Sequence, residues 1–203
     1  DWYCVEQCEL DADWKINVSQ SDSEVVVLHT GPADDKQTAL LSHVALINFA
    51  KERIWIANPY VVPPESLVDA LILAAMRGVD VRLIVPSYSD AKTVMLASKV
   101  YQEKFLKHGI RIYRYSSGFM HQKVMLIDEC FASVGSCNLD CRSMFVNFEI
   151  TAISTDKTLI RQMDAMLEND FLNSHEMQVD NFQHFSLTQR IATRGANLLA
   201  PVL

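Results

Sequence analysis

The chain has 203 residues, 49% of them hydrophobic and 21% charged, with six glycines and six prolines; this is folded-domain composition with no long flexible linker. A formal net charge of −7 argues against broad electrostatic binding of nucleic acid, which needs a basic face, but leaves room for an anion in a small positive pocket. No apolar run reaches the roughly 18 residues of a membrane span, and no signal-peptide pattern stands out.

The first 23 residues are polar and acidic, with Trp2, Tyr3 and Trp14 among carboxylates, and show no clear period. VVVLHT, residues 25–30, is a β-branched run that predicts a buried strand. GPADD breaks the chain, and QTALLSHVALINFAKER then sets Leu40, Leu41, Val44 and Ile47 at helical spacing. IWIANPY, residues 54–60, predicts a strand closed by Asn58-Pro59. Pro63-Pro64-Glu65-Ser66 starts a helix, with proline in its first turn. That helix runs to Gly78, a C-cap, and VDVRLIVP returns as strand. Strand, helix and strand at these lengths predict a crossover onto a parallel pair.

AKTVMLASKVYQEKFLKHG and IRIYRY repeat that theme. HQKVMLID and FASVG, separated by Glu129 and Cys130, predict a hairpin. VNFEITAI, residues 146–153, reads as a further strand and TLIRQMDAMLENDFLNS as a helix. LTQRIATRGANLLAPVL reads as an amphipathic helix carrying Arg190 and Arg194; docking on its own domain and contact with a membrane surface both stay open. The sum is α/β: a three-layer α/β/α sandwich with a mixed sheet, a single domain over residues 1–203. Because the sequence starts at Asp1 in mid-pattern, we expect a piece of a longer protein. The five cysteines include Cys4 with Cys8 and Cys137 with Cys141, four apart, without histidines at zinc-finger spacing. They read as reduced structural thiols, with no metal site.

The chemistry concentrates in MHQKVMLIDECFASVGSCN, residues 120–138. On a strand, alternate side chains share a face, so His121 and Lys123 point the same way. An unpaired ammonium is poor core material, but it neutralises a phosphate oxygen well. His121 would then stand close enough to attack phosphorus or to protonate a leaving oxygen. Gly135 lets backbone approach a ligand, and Ser136 and Asn138 offer donors to phosphate oxygens. A carboxylate is also needed to orient the imidazole, and Glu149, in NFE on the next strand, is a candidate for it by pattern. Asp128 taken alone is compatible with merely opening the hairpin turn.

The pattern H-x-K-x4-D followed by x6-G-S-x-N, here His121, Lys123, Asp128, Gly135, Ser136 and Asn138, resembles the signature of the phospholipase D superfamily. Its later Glu, which hydrogen-bonds to the catalytic His, falls on Glu149. More narrowly, NPYVVPPESLVDALILAAMRGVDVRLIVP, GSCNLDCRSMFVNFEI and RIATRGANLLAPVL are similar to the second half of bacterial cardiolipin synthases. The resemblance implies a phospholipase D-like fold and a phosphatidyl transferase that works through a phosphohistidine without metal or cofactor. One phosphatidylglycerol would give its phosphatidyl group to another, and glycerol would leave. His121, Lys123, Asp128 and Glu149 would form the catalytic set, with Gly135, Ser136 and Asn138 binding substrate phosphate.

In two-signature enzymes of this kind the first-half His is the usual nucleophile, which favours His121 as the acid–base partner while the reverse assignment stays open, and Asp128 is better suited to holding the site than to touching substrate. Arg142 is divided between head-group contact and an ordinary ion pair. The implied partners are phospholipids, a membrane surface, and a second signature from the same chain or a second copy. The implied location is the cytoplasmic side of a bacterial inner membrane, with the anchor outside this piece. The alternatives are a single-signature phosphodiesterase or nuclease active as a homodimer, and an inactive isolated half.

Overall fold

Within IWIA, Ile54 and Ile56 face one side, Trp55 and Ala57 face the other, and all four are buried. A strand buried on both faces needs a layer of helix against each. The computed structural model describes residues 23–88, 91–180 and 187–198 and supplies both layers.

In chain order the first elements are β1 (Val25–Thr30), α1 (Thr38–Phe49), β2 (Arg53–Ala57), β3 (Val61–Val62), α2 (Glu65–Met76), β4 (Asp80–Pro86), α3 (Lys92–Lys107) and β5 (Arg111–Tyr115). There follow β6 (Val124–Ile127), β7 (Phe131–Gly135), β8 (Leu139–Asp140), α4 (Cys141–Phe145), β9 (Glu149–Ser154), α5 (Lys157–Leu172), β10 (Ser174–Glu176) and α6 (Leu187–Asn197). The main sheet runs β1-β9-β7-β6-β2-β4-β5-β10, and β3 pairs with β8 in a small second ladder. β2, β4 and β5 are parallel, as the crossover lengths require, and the other pairings of the main sheet are antiparallel. The sheet is therefore mixed.

Leu40 and Ile47 of α1, Leu67 and Leu71 of α2 and Phe105 of α3 share one core with Ile54, Ile56, Leu83 and Ile112. On the opposite face Ile160, Met163 and Leu167 of α5 join Trp55, Ala57, Ile84, Tyr113 and Leu126. Each fully buried Leu, Ile or Phe contributes about 1.5–3 kcal/mol, so the three layers are held mainly by these two cores. Trp55 adds a polar tie: its indole N–H donates to Asp80 at 3.2 Å, while the Arg53 and Arg82 guanidiniums lie 4.5 and 4.7 Å from its ring centre.

Several boundaries differ from the sequence-based expectation. VVVLHT is a strand but not a buried one: Val25, Val26 and Val27 are 56%, 55% and 56% exposed, because β1 lies at the sheet's edge. The α1 helix stops at Phe49 instead of running through AKER, since the amides of Lys51, Glu52 and Arg53 bond to Asp128. Pro64 is the extended N-cap of α2, its carbonyl accepting from Leu67 at 3.0 Å and Val68 at 3.1 Å, so the first helical residue is Glu65. Strand β9 begins at Glu149, three residues after the expected start, and Ser174 belongs to β10. Gly78 takes φ +90 just after α2, the left-handed position a helix C-terminus favours. Trp2, Tyr3, Trp14, Cys4, Cys8 and the closing LAPVL lie outside the described residues.

Candidate active site

Strand direction gathers the polar residues at one edge of the sheet. β6 runs antiparallel to β2, with Val124 opposite Ala57, so the start of β6 stands beside the end of β2. β7 returns antiparallel, with Val134 opposite Val124 and Gly135 opposite Thr151 of β9. Glu149, the first residue of β9, pairs with Thr30 at the end of β1. His121 and Lys123, Ser136, and Glu149 thereby reach the same rim from three separate stretches of backbone.

His121 and Lys123 lie in the segment ahead of β6, not inside the strand as the apolar run after them suggested. The Gly135 amide donates to the Lys123 carbonyl at 3.1 Å and carries the ladder one step further. The two side chains share a side, as strand alternation requires. Lys123 Nζ donates to His121 Nδ1 at 2.9 Å and to the His121 carbonyl at 2.9 Å. Phe119 stacks on the ring at 5.6 Å and Tyr60 meets it edge-on at 6.1 Å. These aromatic contacts limit how the imidazole can turn.

Glu149 is buried and accepts three hydrogen bonds, from Ser136 Oγ, from Ser143 Oγ at 2.8 Å and from Asn147 Nδ2 at 3.2 Å. Ser136 Oγ in turn accepts from the Ile150 amide at 3.0 Å. Burying a polar group is costly unless it is hydrogen-bonded, and these three donors meet that cost. The hydrogen bond from Glu149 to His121 that the resemblance implied is not formed among the described residues; Lys123 holds that imidazole instead. Gly135 is required by space: a Cβ there would lie 2.5 Å from the Ile150 carbonyl and 2.7 Å from Thr151 Oγ1. Asn138 Oδ1 is buried without a partner.

Asp128 stands elsewhere. It sits past the far end of β6, about 17 Å along the chain from Lys123 by strand geometry, in the left-handed region at φ 49. Its carboxylate accepts from Lys51 N at 3.0 Å, Glu52 N at 3.0 Å and Arg53 N at 2.8 Å. This ties the hairpin to the start of β2, so Asp128 braces the sheet, away from the His121–Lys123 pair with which the signature spacing grouped it.

Three supports had no clear mark in the sequence reading. Asn58, buried at the end of β2, donates to the Cys137 carbonyl at 3.4 Å and accepts from Leu139 N at 3.2 Å, which fixes the Ser136–Asn138 loop. Its signal was Asn-Pro at a strand end, read only as a terminator. Asp140 accepts from Ser143 N at 2.7 Å and caps α4, which presents Ser143 to Glu149. The spacing of Asp140 and Ser143 was the available sign of that cap. Burial, with the nearby Glu149 adding to it, pushes the Asp140 carboxyl up to about 6 against the bonds from Ser143. Cys137 is buried in the loop with its thiol pushed up to about 12, chiefly by desolvation, so it stays protonated and is no nucleophile. Cys130, Cys137 and Cys141 are all free thiols.

Residues 43–171 match the family model described as cardiolipin synthase, PLD-like domain. The chain belongs to that family.

Phospholipase D-like membership covers the whole rim just described, from Asn58 to Glu149. The chain is 43% identical to cardiolipin synthase A of Pseudomonas aeruginosa over 187 residues, 91% of this chain and 38% of that relative. It therefore spans well under half the length of the curated relatives it matches. Its fold is that of a phosphatidylserine synthase from Haemophilus influenzae, with TM-score 0.73 and 14% identity over 89% of this chain and 48% of that one. Nuc, a phospholipase D family member from Salmonella typhimurium, superposes with TM-score 0.68 at 19% identity, covering 77% of this chain and 99% of its own. These likenesses carry the mixed three-layer fold.

Proposed function

We propose that this chain forms one half of a phosphatidyl transferase of the cardiolipin synthase type. The observation that carries the proposal is the meeting of His121, Lys123, Ser136 and Glu149 at one rim in a chain 43% identical to cardiolipin synthase A. A phosphodiester that docks here draws Lys123 Nζ from His121 onto a non-bridging oxygen, because an ammonium bonds an anion more strongly than a neutral ring nitrogen. Ser136 and Asn138 supply further hydrogen bonds, and Gly135 lets the loop come close. Arg142 donates to Asn147 Oδ1 at 3.2 Å, which gives it a supporting place behind Glu149.

The reaction needs two imidazoles. One attacks phosphorus, forming the P–N bond of a phosphohistidine as the P–O bond to glycerol breaks. The other gives its proton to the leaving oxygen. It then takes the proton of an incoming hydroxyl, which attacks phosphorus and frees the first imidazole. We assign His121 the acid–base part, and a second signature, from the rest of a longer chain or from a second copy, the nucleophile. The substrates are two phosphatidylglycerols, the products cardiolipin and glycerol, and the reaction needs no metal. The setting is the cytoplasmic face of a bacterial inner membrane. Among the described residues no helix is long and apolar enough to cross a membrane, so contact here would be with its surface.

The test is a lipid assay on the full-length protein supplied with phosphatidylglycerol. Cardiolipin and glycerol are expected in equal amounts, and His121→Asn should lower the rate by at least about 100-fold. Cleavage of DNA without lipid transfer would overturn the proposal in favour of a nuclease.

A further inference from the structure

Pairing register continues the rim beyond the residues already described. Ile56 stands opposite Met125 of β6 and Leu83 of β4, and Leu83 stands opposite Ile112 of β5. Two residues further along each strand, on the same face, the row reads Lys123, Asn58, Val85 and Arg114, with Val85 directly opposite Arg114 in the ladder. Arg114 is thus three strands from Lys123, about 14 Å between backbones.

Arg114 is half-buried, and its Nε is fully buried without a hydrogen-bond partner. No carboxylate among the described residues pairs with it, although the chain has 25 acidic residues against 18 lysines and arginines. A guanidinium withdrawn from water without an anion is costly, so the position calls for one. The enclosed space beside it is bounded by Pro59, Val61, Pro86, Met95, Ser98 and Gln102. It admits one oxygen-sized group.

Gln102 Oε1 is also buried and unpartnered, while Nε2 donates to Ser98 Oγ at 3.1 Å. With the carboxamide turned over, Nε2 faces the space as a donor, and Ser98 Oγ donates to Oε1 in place of the Met95 carbonyl that it reaches at 2.9 Å. Burial, and after it the nearby Arg114, disfavours the charge on Lys99. Pro59, one wall of the space, leads directly into Tyr60, whose ring meets His121.

We infer that Arg114, with Gln102 beside it, forms a second anion subsite on the same rim, which takes a phosphate group with one oxygen seated inward. Two chemically equal sources fit, a phospholipid head group and free phosphate. The first rests on the transferase proposal, where it would hold the phosphate of a second lipid while the first reacts at His121.

The test follows the Arg114 Nε–H resonance, assigned by its loss in Arg114→Lys, while inorganic phosphate, short-chain phosphatidylglycerol or chloride is titrated into the protein. A saturable shift with phosphate is expected, at least about tenfold tighter than with chloride, and it should survive Lys123→Ala. Tighter saturation by phosphatidylglycerol than by inorganic phosphate assigns the subsite to a head group, and the reverse order to free phosphate. No saturable shift, or an equal one with chloride, overturns the subsite. If lipid transfer still depends on His121 while the Arg114 resonance stays unmoved, the subsite alone fails. A saturable shift in a protein without lipid transfer leaves the subsite and removes the transferase.

Discussion

Asp128 and Lys123 are five positions apart and do different work. Lys123 reaches a neighbouring imidazole at an open rim, whereas Asp128 satisfies three backbone amides that α1 and β2 leave unpaired. Removing a buried acceptor from several donors costs more than any one hydrogen bond contributes. Asp128→Ala should therefore destabilise the fold by about 3 kcal/mol, seen as a lower midpoint in urea with an unchanged denaturant slope. An unaltered midpoint would mean that the three amides find other partners. His121 and Lys123 were legible as a pair because alternation along an extended segment does not depend on the rest of the fold. The partners of Glu149 were not, since Ser143 reaches it only through a short helix whose placement is tertiary.

Helix α4 has five residues and β8 two, too short for any hydrophobic period to announce them. Their geometry hangs on Asp140, which is buried and caps α4. Its carboxyl is raised from 3.8 to about 6, mainly by burial. A folded-state value above the unfolded one means that the folded chain holds the extra proton. The stabilising effect is complete below about pH 4 and is lost as pH rises to about 6, at most about 3 kcal/mol. Asp140→Asn keeps an acceptor for Ser143 N without the charge. Its thermal midpoint should gain on the wild type between about pH 4 and 6 and then level off, and a constant difference from pH 4 to 7 would show that Asp140 does not titrate there. The longer elements behaved differently. β2, α2 and β4 carry enough residues for periodicity and crossover length to place them, and their parallel pairing agrees with both.

At the scale of the molecule, the chain presents one His–Lys pair of the signature, while the proposed chemistry uses two imidazoles. If the second is contributed by another part of a longer protein, this chain by itself should stay monomeric in light scattering. It should also be inert toward phosphatidylglycerol, and gain activity when that remaining part is added. Dimerisation with intrinsic phosphodiesterase activity, lost in His121→Ala, would instead favour a self-sufficient homodimer. Arg114 also belongs to this scale. Nothing in IRIYRY marks one arginine as different from the other. Arg111 pairs with Glu176 across β5 and β10 at 2.8 Å, and Arg114 faces α3 without a carboxylate partner among the described residues.

By itself the sequence determined the α/β class and the parallel crossover, and it singled out His121, Lys123, Asp128, Gly135, Ser136, Asn138 and Glu149 as candidates. Those follow from local physics, from side-chain alternation, helix period and turn chemistry, and from a spacing specific enough to resemble one superfamily. Only the tertiary structure decided that β1 is an exposed edge, that Asp128 braces the far end of β6, and that Glu149 rests on Ser136, Ser143 and Asn147. It also decided that Arg114 stands in one row with Lys123. Each of these depends on which strand lies beside which. That order is set by packing two cores against one sheet, a sum over the whole chain that no short window contains.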